Sequence, residues 1–124
     1  MGGEPNIRQR SYDFAPRVVK FVRTLPKNTV GSELGRELLK SGTSIGANTE
    51  EATGGFSKRD FTYKMSVAYR EAREANYWLR LLRDSGLSDS QELEYLTNES
   101  AEIKKMLRSI VKTSKERSQG KGRS

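Results

Sequence analysis

A chain of 124 residues with no cysteine and no histidine has the length of one domain. It lacks the thiols for a disulfide framework, the commonest zinc ligands and the usual general base near neutral pH, so the expectation is a protein that is not an enzyme and holds no metal or cofactor. Hydrophobic residues make up 33%, charged residues 31%, and the net charge is +7, which fits amphipathic helices whose natural partners are copies of the same chain and a polyanion, RNA or DNA.

The N-terminus "MGGEPNIRQR" has no apolar segment of the secretory kind, and no apolar run nears the ~20 residues that cross a bilayer. The expectation is a cytoplasmic protein without membrane contact. Residues 1–11 read as a flexible terminus, and Tyr12 to Lys27 as the first helix. Phe14, Val18, Phe21, Val22 and Leu25 form one apolar stripe. Asp13 is the expected cap, Pro16 falls in the first turn, and Pro26 ends the helix. Arg17, Lys20, Arg23 and Lys27 gather on the opposite side, either as a solvated face or as a phosphate-binding stripe.

The second segment, Val30 to Ala52, carries Val30, Leu34, Leu38, Ser41, Ile45, Asn48 and Ala52 on one face. Gly31, Gly35, Gly42 and Gly46 lie on an adjacent one. Each glycine costs a helix ~1 kcal/mol relative to alanine, so four on one side predict close approach of another backbone, from the same bundle or a neighbouring subunit. A break at Gly42 or Gly46 is the alternative, but the apolar phase runs through from Leu38 to Ile45 and predicts a continuous helix.

Ser57 opens the third helix, with Asp60 three residues on. Phe61, Met65, Ala68, Ala72, Ala75, Leu79 and Leu82 follow at heptad spacing, and Gly86 fits its end. Arg59, Arg70, Arg73 and Arg80 share a side with Tyr63 and Tyr77. Cations interleaved with aromatics suit single-stranded nucleic acid; pairing with neighbouring glutamates is the alternative. The fourth helix begins near Ser88 or Asp89, each with a capping partner three residues on, and runs Leu93, Leu96, Ser100, Ile103, Leu107, Ile110 and Ser114 on its seam. Residues 113–124 lose periodicity and read as a disordered basic tail. From Lys112 onward five basic residues, Lys112, Lys115 and Arg117 among them, face a single acid, Glu116. The fold expected is all-α: an antiparallel up-down-up-down four-helix bundle over residues 12–112 with short loops.

Three stretches together, "LPK", "LLKSGTSIGANTEEATGGFSKRDF" and "YKMSVAYREAREANYWLRLLRDSG", resemble the four-helix-bundle family encoded by intervening sequences in bacterial 23S ribosomal RNA genes, the S23 family. That family is in turn similar to the accessory variability determinant proteins of diversity-generating retroelements. The resemblance covers Tyr12 to Val111. Its motif falls on Ser44, Ile45, Asn48, Glu51 and Ala52, then Ser57 and Phe61, then Glu71, Tyr77, Trp78 and Leu79, with Thr49 standing where an apolar residue is expected. It implies a homopentamer, and the retroelement relatives imply binding to nucleic acid and to a reverse transcriptase. A protein-interaction module with no direct role in nucleic-acid binding is the alternative.

Two details complete the expectation. Ser41, Ser44 and Asn48 are placed against the alanines of the third helix, with Asn48 buried between the two; a solvated Asn48 is the alternative. Trp78 is expected to bury a large apolar surface, its N–H seeking a partner. Glu51 and Glu71 are read as salt-bridging residues rather than a catalytic carboxylate pair.

Overall fold

The computed structural model describes residues 6–123, with side chains through Gln119. Met1 to Pro5, the side chains from Gly120 onward, and the expectations that fall on them lie outside the described residues. Among the described residues there are four helices: α1 (Ile7–Val22), α2 (Thr29–Thr53), α3 (Lys58–Asp84) and α4 (Gln91–Arg123). Each packs on its neighbours in sequence, and α1 closes the ring against α4. Short connections force antiparallel neighbours. The register shows it: Arg10 bonds Glu99 and Arg17 bonds Glu92, so numbering rises along α1 as it falls along α4.

The α1 stripe is the expected one, with Phe14, Val18, Phe21 and Leu25 buried, but the start of the helix is not. Asn6, not Asp13, caps α1, its side-chain oxygen accepting from the Arg8 and Gln9 amides at 2.9 and 3.3 Å. Pro16 therefore lies inside the helix. It has no N–H to give the Tyr12 carbonyl, a loss tolerable because Pro16 faces solvent.

Helix α2 is continuous, as its phase predicted. Its buried seam, however, runs Gly31, Gly35, Leu38, Gly42, Ile45, Thr49 and Ala52, a heptad spacing that passes through the glycines rather than beside them. The partner is α1 and the turn after it. A methyl added at Gly42 would lie 2.9 Å from Val18 Cγ1, at Gly46 3.3 Å from the Ser11 carbonyl oxygen, and at Gly35 3.2 Å from Val22. Val30, expected on the inner face, is exposed, and Leu34 is half-buried.

Asn48 is corrected too. It is half-buried, and its amide donates to the Ser44 carbonyl of its own helix at 2.9 Å rather than crossing to α3. Ser44 likewise donates to the Lys40 carbonyl at 2.6 Å. Ser41 and Thr49 are buried and also donate to carbonyls three or four residues back. Back-bonding satisfies a hydroxyl inside the helix that carries it, so small polar residues enter this core without a partner across the interface. Thr49 occupies the apolar position in that way.

The seam of α3 is buried as expected from Met65 to Leu82, with Phe61 packed at its edge. Gly86 ends the helix at φ 74°, and the Leu87 amide donates back to the Leu82 carbonyl at 3.1 Å, the hydrogen-bond pattern that favours glycine. Helix α4 is capped by Ser90, two residues after Ser88 and one after Asp89: Ser90 Oγ accepts from the Leu93 amide at 3.2 Å. Leu93, Leu96, Ser100, Ile103 and Leu107 are buried. Fully burying a leucine or isoleucine contributes about 1.5–3 kcal/mol. Packing ends near Ser114, whose hydroxyl meets that of Thr62 on α3. Residues 115–119 are exposed though helical, so the lost periodicity of the tail marks the end of the packing face.

Candidate nucleic-acid interface

The basic residues singled out in the sequence divide into three groups. On α1, Arg17 is engaged within the bundle: its guanidinium makes two hydrogen bonds to the Glu92 carboxylate at 2.8 and 2.9 Å and stacks 3.6 Å over the Tyr95 ring. This holds the Glu92 carboxyl below its usual range. The stabilisation is present above the unfolded carboxylate range and is lost as pH falls through the lowered value. Lys20 lies beside the same pair. Arg23 and Lys27 are exposed in and beyond the turn after α1. The four therefore do not act as one stripe.

On α3, Arg70, Arg73 and Arg80 come together along one cleft, joined by Lys104 from α4, which sequence reasoning missed. A lysine on another helix has no sequence signal linking it to α3; only the α3–α4 register brings it there. Tyr77, Trp78 and Glu74 complete the lining of this space of about 440 Å³. Arg59, near the start of α3, lies outside it. Tyr77 is 49% exposed and meets Trp78 edge-on, ring centroids 5.0 Å apart. The guanidinium of Arg80 lies 5.9 Å from the Tyr77 ring. Trp78 is half-buried, and its indole N–H meets no acceptor among the described residues. The third group, Lys112, Lys115 and Arg117, is exposed where α4 outruns the bundle.

The motif carboxylates do not pair with each other. Glu51 bonds Lys64 across α2 and α3 at 2.6 Å. Burial raises the Glu71 carboxyl, Glu74 adds to the rise, and Arg70 and Lys40 oppose it. A carboxyl raised in the folded state disfavours folding at neutral pH, and the penalty is relieved as pH falls through the raised value. Glu71→Gln is therefore expected to raise the melting temperature at neutral pH, with the gain vanishing under acid conditions where the carboxyl is protonated in both states; thermal melts at the two pH values check it. Among the described residues no group of three or more potential metal ligands occurs, and no helix is long and apolar enough to cross a membrane.

Fold and cleft together define an all-α antiparallel four-helix bundle that presents a cationic, aromatic-lined surface between α3 and α4. The chain belongs to the 23S rRNA-intervening sequence protein family, whose pattern it matches over residues 4–109. It is similar to a crystallised protein with unknown function of the S23 ribosomal protein family, from Bacteroides thetaiotaomicron VPI-5482. The two share 37% identity and a TM-score of 0.78, over 86% of this chain and 99% of that one. Curated proteins give no match.

Proposed function

We propose that the protein is a non-catalytic homo-oligomer, a homopentamer by family resemblance, that binds single-stranded nucleic acid along its α3–α4 face. The observation that carries this reading is the gathering of Arg70, Arg73, Arg80 and Lys104 around Tyr77 and Trp78. Arg70 and Arg80 are separated by about 15 Å along the helix axis, a span suited to a short run of nucleotides. Cations neutralise the phosphates and an exposed ring offers a base a stacking surface. Self-association is supported by the apolar side chains left outside the bundle, with Phe56 fully exposed and Val30 at 53%.

Binding of this kind is largely independent of sequence, and its affinity falls with salt at roughly −0.7 in log K per log unit of salt for each phosphate neutralised on a single strand. Filter-binding titrations with single-stranded RNA at rising salt test it. Affinity unaffected by salt, or absent at micromolar protein, removes the reading. Deleting residues 114–124 is expected to weaken binding without abolishing it, because the cleft remains.

A second reading, a protein-interaction module docking to a reverse transcriptase or a ribosome-linked partner, is favoured by a different feature. An open groove of about 740 Å³ between the α2–α3 turn and the end of α4 is lined by Ala52, Phe61 and Ile110, with exposed Phe56 at its edge. It gains if deletion of the tail removes nucleic-acid affinity and leaves partner function intact.

A further inference from the structure

The α3–α4 interface contains a polar network that the nucleic-acid reading does not itself require. Asn76 is only 5% exposed. Its amide nitrogen donates to the Ser100 hydroxyl at 2.9 Å and to the Thr97 carbonyl at 3.2 Å, both on α4. Its amide oxygen accepts from Arg80 Nε at 2.9 Å. The orientation of this amide is fixed by chemistry: a main-chain carbonyl can only accept and a guanidinium can only donate, so the nitrogen must face α4 and the oxygen must face Arg80. Ser100 is held in turn by its own bond to the Thr97 carbonyl, at 2.9 Å.

The network holds an arginine that is itself exposed. A surface arginine ordinarily samples many rotamers, and ordering it on a ligand costs conformational entropy. Here Nε is anchored to a buried group, while neither terminal nitrogen makes a hydrogen bond or ion pair with a described residue, the charge acting through space on the Asp84 carboxyl. Two parallel N–H donors in a fixed plane match two oxygens of a phosphate. Tyr77 lies next to them, its ring beside the same guanidinium.

We propose that Arg80 is a preset fork for one phosphodiester of a bound single strand, and that Asn76 is the positioning residue that sets it. The base attached to that phosphate stacks on Tyr77. This rests on the nucleic-acid reading above and adds to it one discrete contact where charge alone would give a diffuse field. Lysine at this position keeps the charge and loses the fork.

The test uses the intrinsic fluorescence of Trp78, the only tryptophan, which lines the same cleft. The full-length protein is titrated with oligouridylate, and in parallel with oligothymidylate, each of about 12 nucleotides. Arg80→Lys is expected to weaken binding roughly tenfold, the scale of one lost charge-assisted hydrogen bond, while the salt slope stays unchanged because the charge count is the same. Asn76→Leu, close in volume, removes the anchor and keeps the arginine; it is expected to weaken binding by roughly three- to tenfold, again at unchanged salt slope. A purely structural asparagine would not give matching effects at two positions, one of them on the surface. Wild-type affinity in Arg80→Lys overturns the fork and leaves the nucleic-acid reading standing. Absence of binding by the unaltered protein overturns both.

Discussion

Alanine at Arg70, Arg73 and Arg80 together is expected to lower the affinity for single-stranded RNA about 100-fold at low salt. Each cation–phosphate pair near a solvated surface contributes about 1 kcal/mol, and three of them correspond to roughly a hundredfold change in Kd. The salt slope should fall by about 2, three contacts at roughly 0.7 each. All three side chains are exposed, but Arg80 also donates to the oxygen of buried Asn76, so the melting temperature should fall by several degrees through that one lost bond, about 1–3 kcal/mol. The matched control replaces Lys112, Lys115 and Arg117, which are exposed toward the C-terminal end of α4. An equal loss from that triple variant would place the binding surface on the protruding end of α4 instead of the cleft. The same titrations read both, and circular dichroism establishes that helicity is retained.

Gly42→Leu is expected to destabilise the bundle by about 3 kcal/mol, at the upper end of the usual cost of overpacking. The β-carbon alone would stand 2.9 and 3.0 Å from the two methyls of Val18, and the rest of the side chain would extend into α1. Val18 is fully buried, so it has nowhere to move without lifting α1 off α2. The corresponding fall in melting temperature is about 10 °C or more for a chain of this size. Gly54→Ala provides the contrast. Its added methyl would meet only the Glu50 and Glu51 carbonyl oxygens at 3.6 and 4.0 Å, which is ordinary contact, so that variant should melt within a few degrees of the parent. Helix propensity alone predicts the opposite for Gly42, since glycine is the costliest non-proline residue in a helix interior. A stabilised Gly42→Leu protein would mean that α1 and α2 do not cross at this point.

The two expectations draw on different kinds of information. The arginines of α3 were visible as a group because they share a helix, and helical periodicity converts spacing along one segment into position on one face. The same logic delivered the α1 stripe from Phe14 to Leu25, the α3 seam and the α4 seam, all made of side chains large enough to mark their own phase. It also supplied the family, through residues such as Asn48, Glu71 and Trp78 that stand in a specific order.

The departures have a common cause. On α2 the seam passes through Gly31, Gly35 and Gly42, and a residue with no side chain leaves no mark in a hydrophobic pattern. From Ile45, both Asn48 and Thr49 continue a helical face. Which of them turns inward depends on where α1 and α3 lie, and the inward one is Thr49. Asn6 and Asp13 are both capping residue types; what favours the earlier start is the burial of Ser11 and the packing of Ile7 onto the core. Asn76 sits one residue past Ala75 on α3 and gives no hint of its bonds to Thr97 and Ser100.

By itself the sequence determined four amphipathic helices, their order, the antiparallel bundle and the family, because each follows from periodicity and turn residues within a contiguous segment. Only the tertiary structure decided that the glycine ridge of α2 receives α1, that Arg17 is engaged by Glu92 and Tyr95, and that Lys104 joins the α3 arginines. Those facts depend on the relative rotation and register of separate helices. Those are set when the packed faces interlock, and residue spacing within one segment does not encode them.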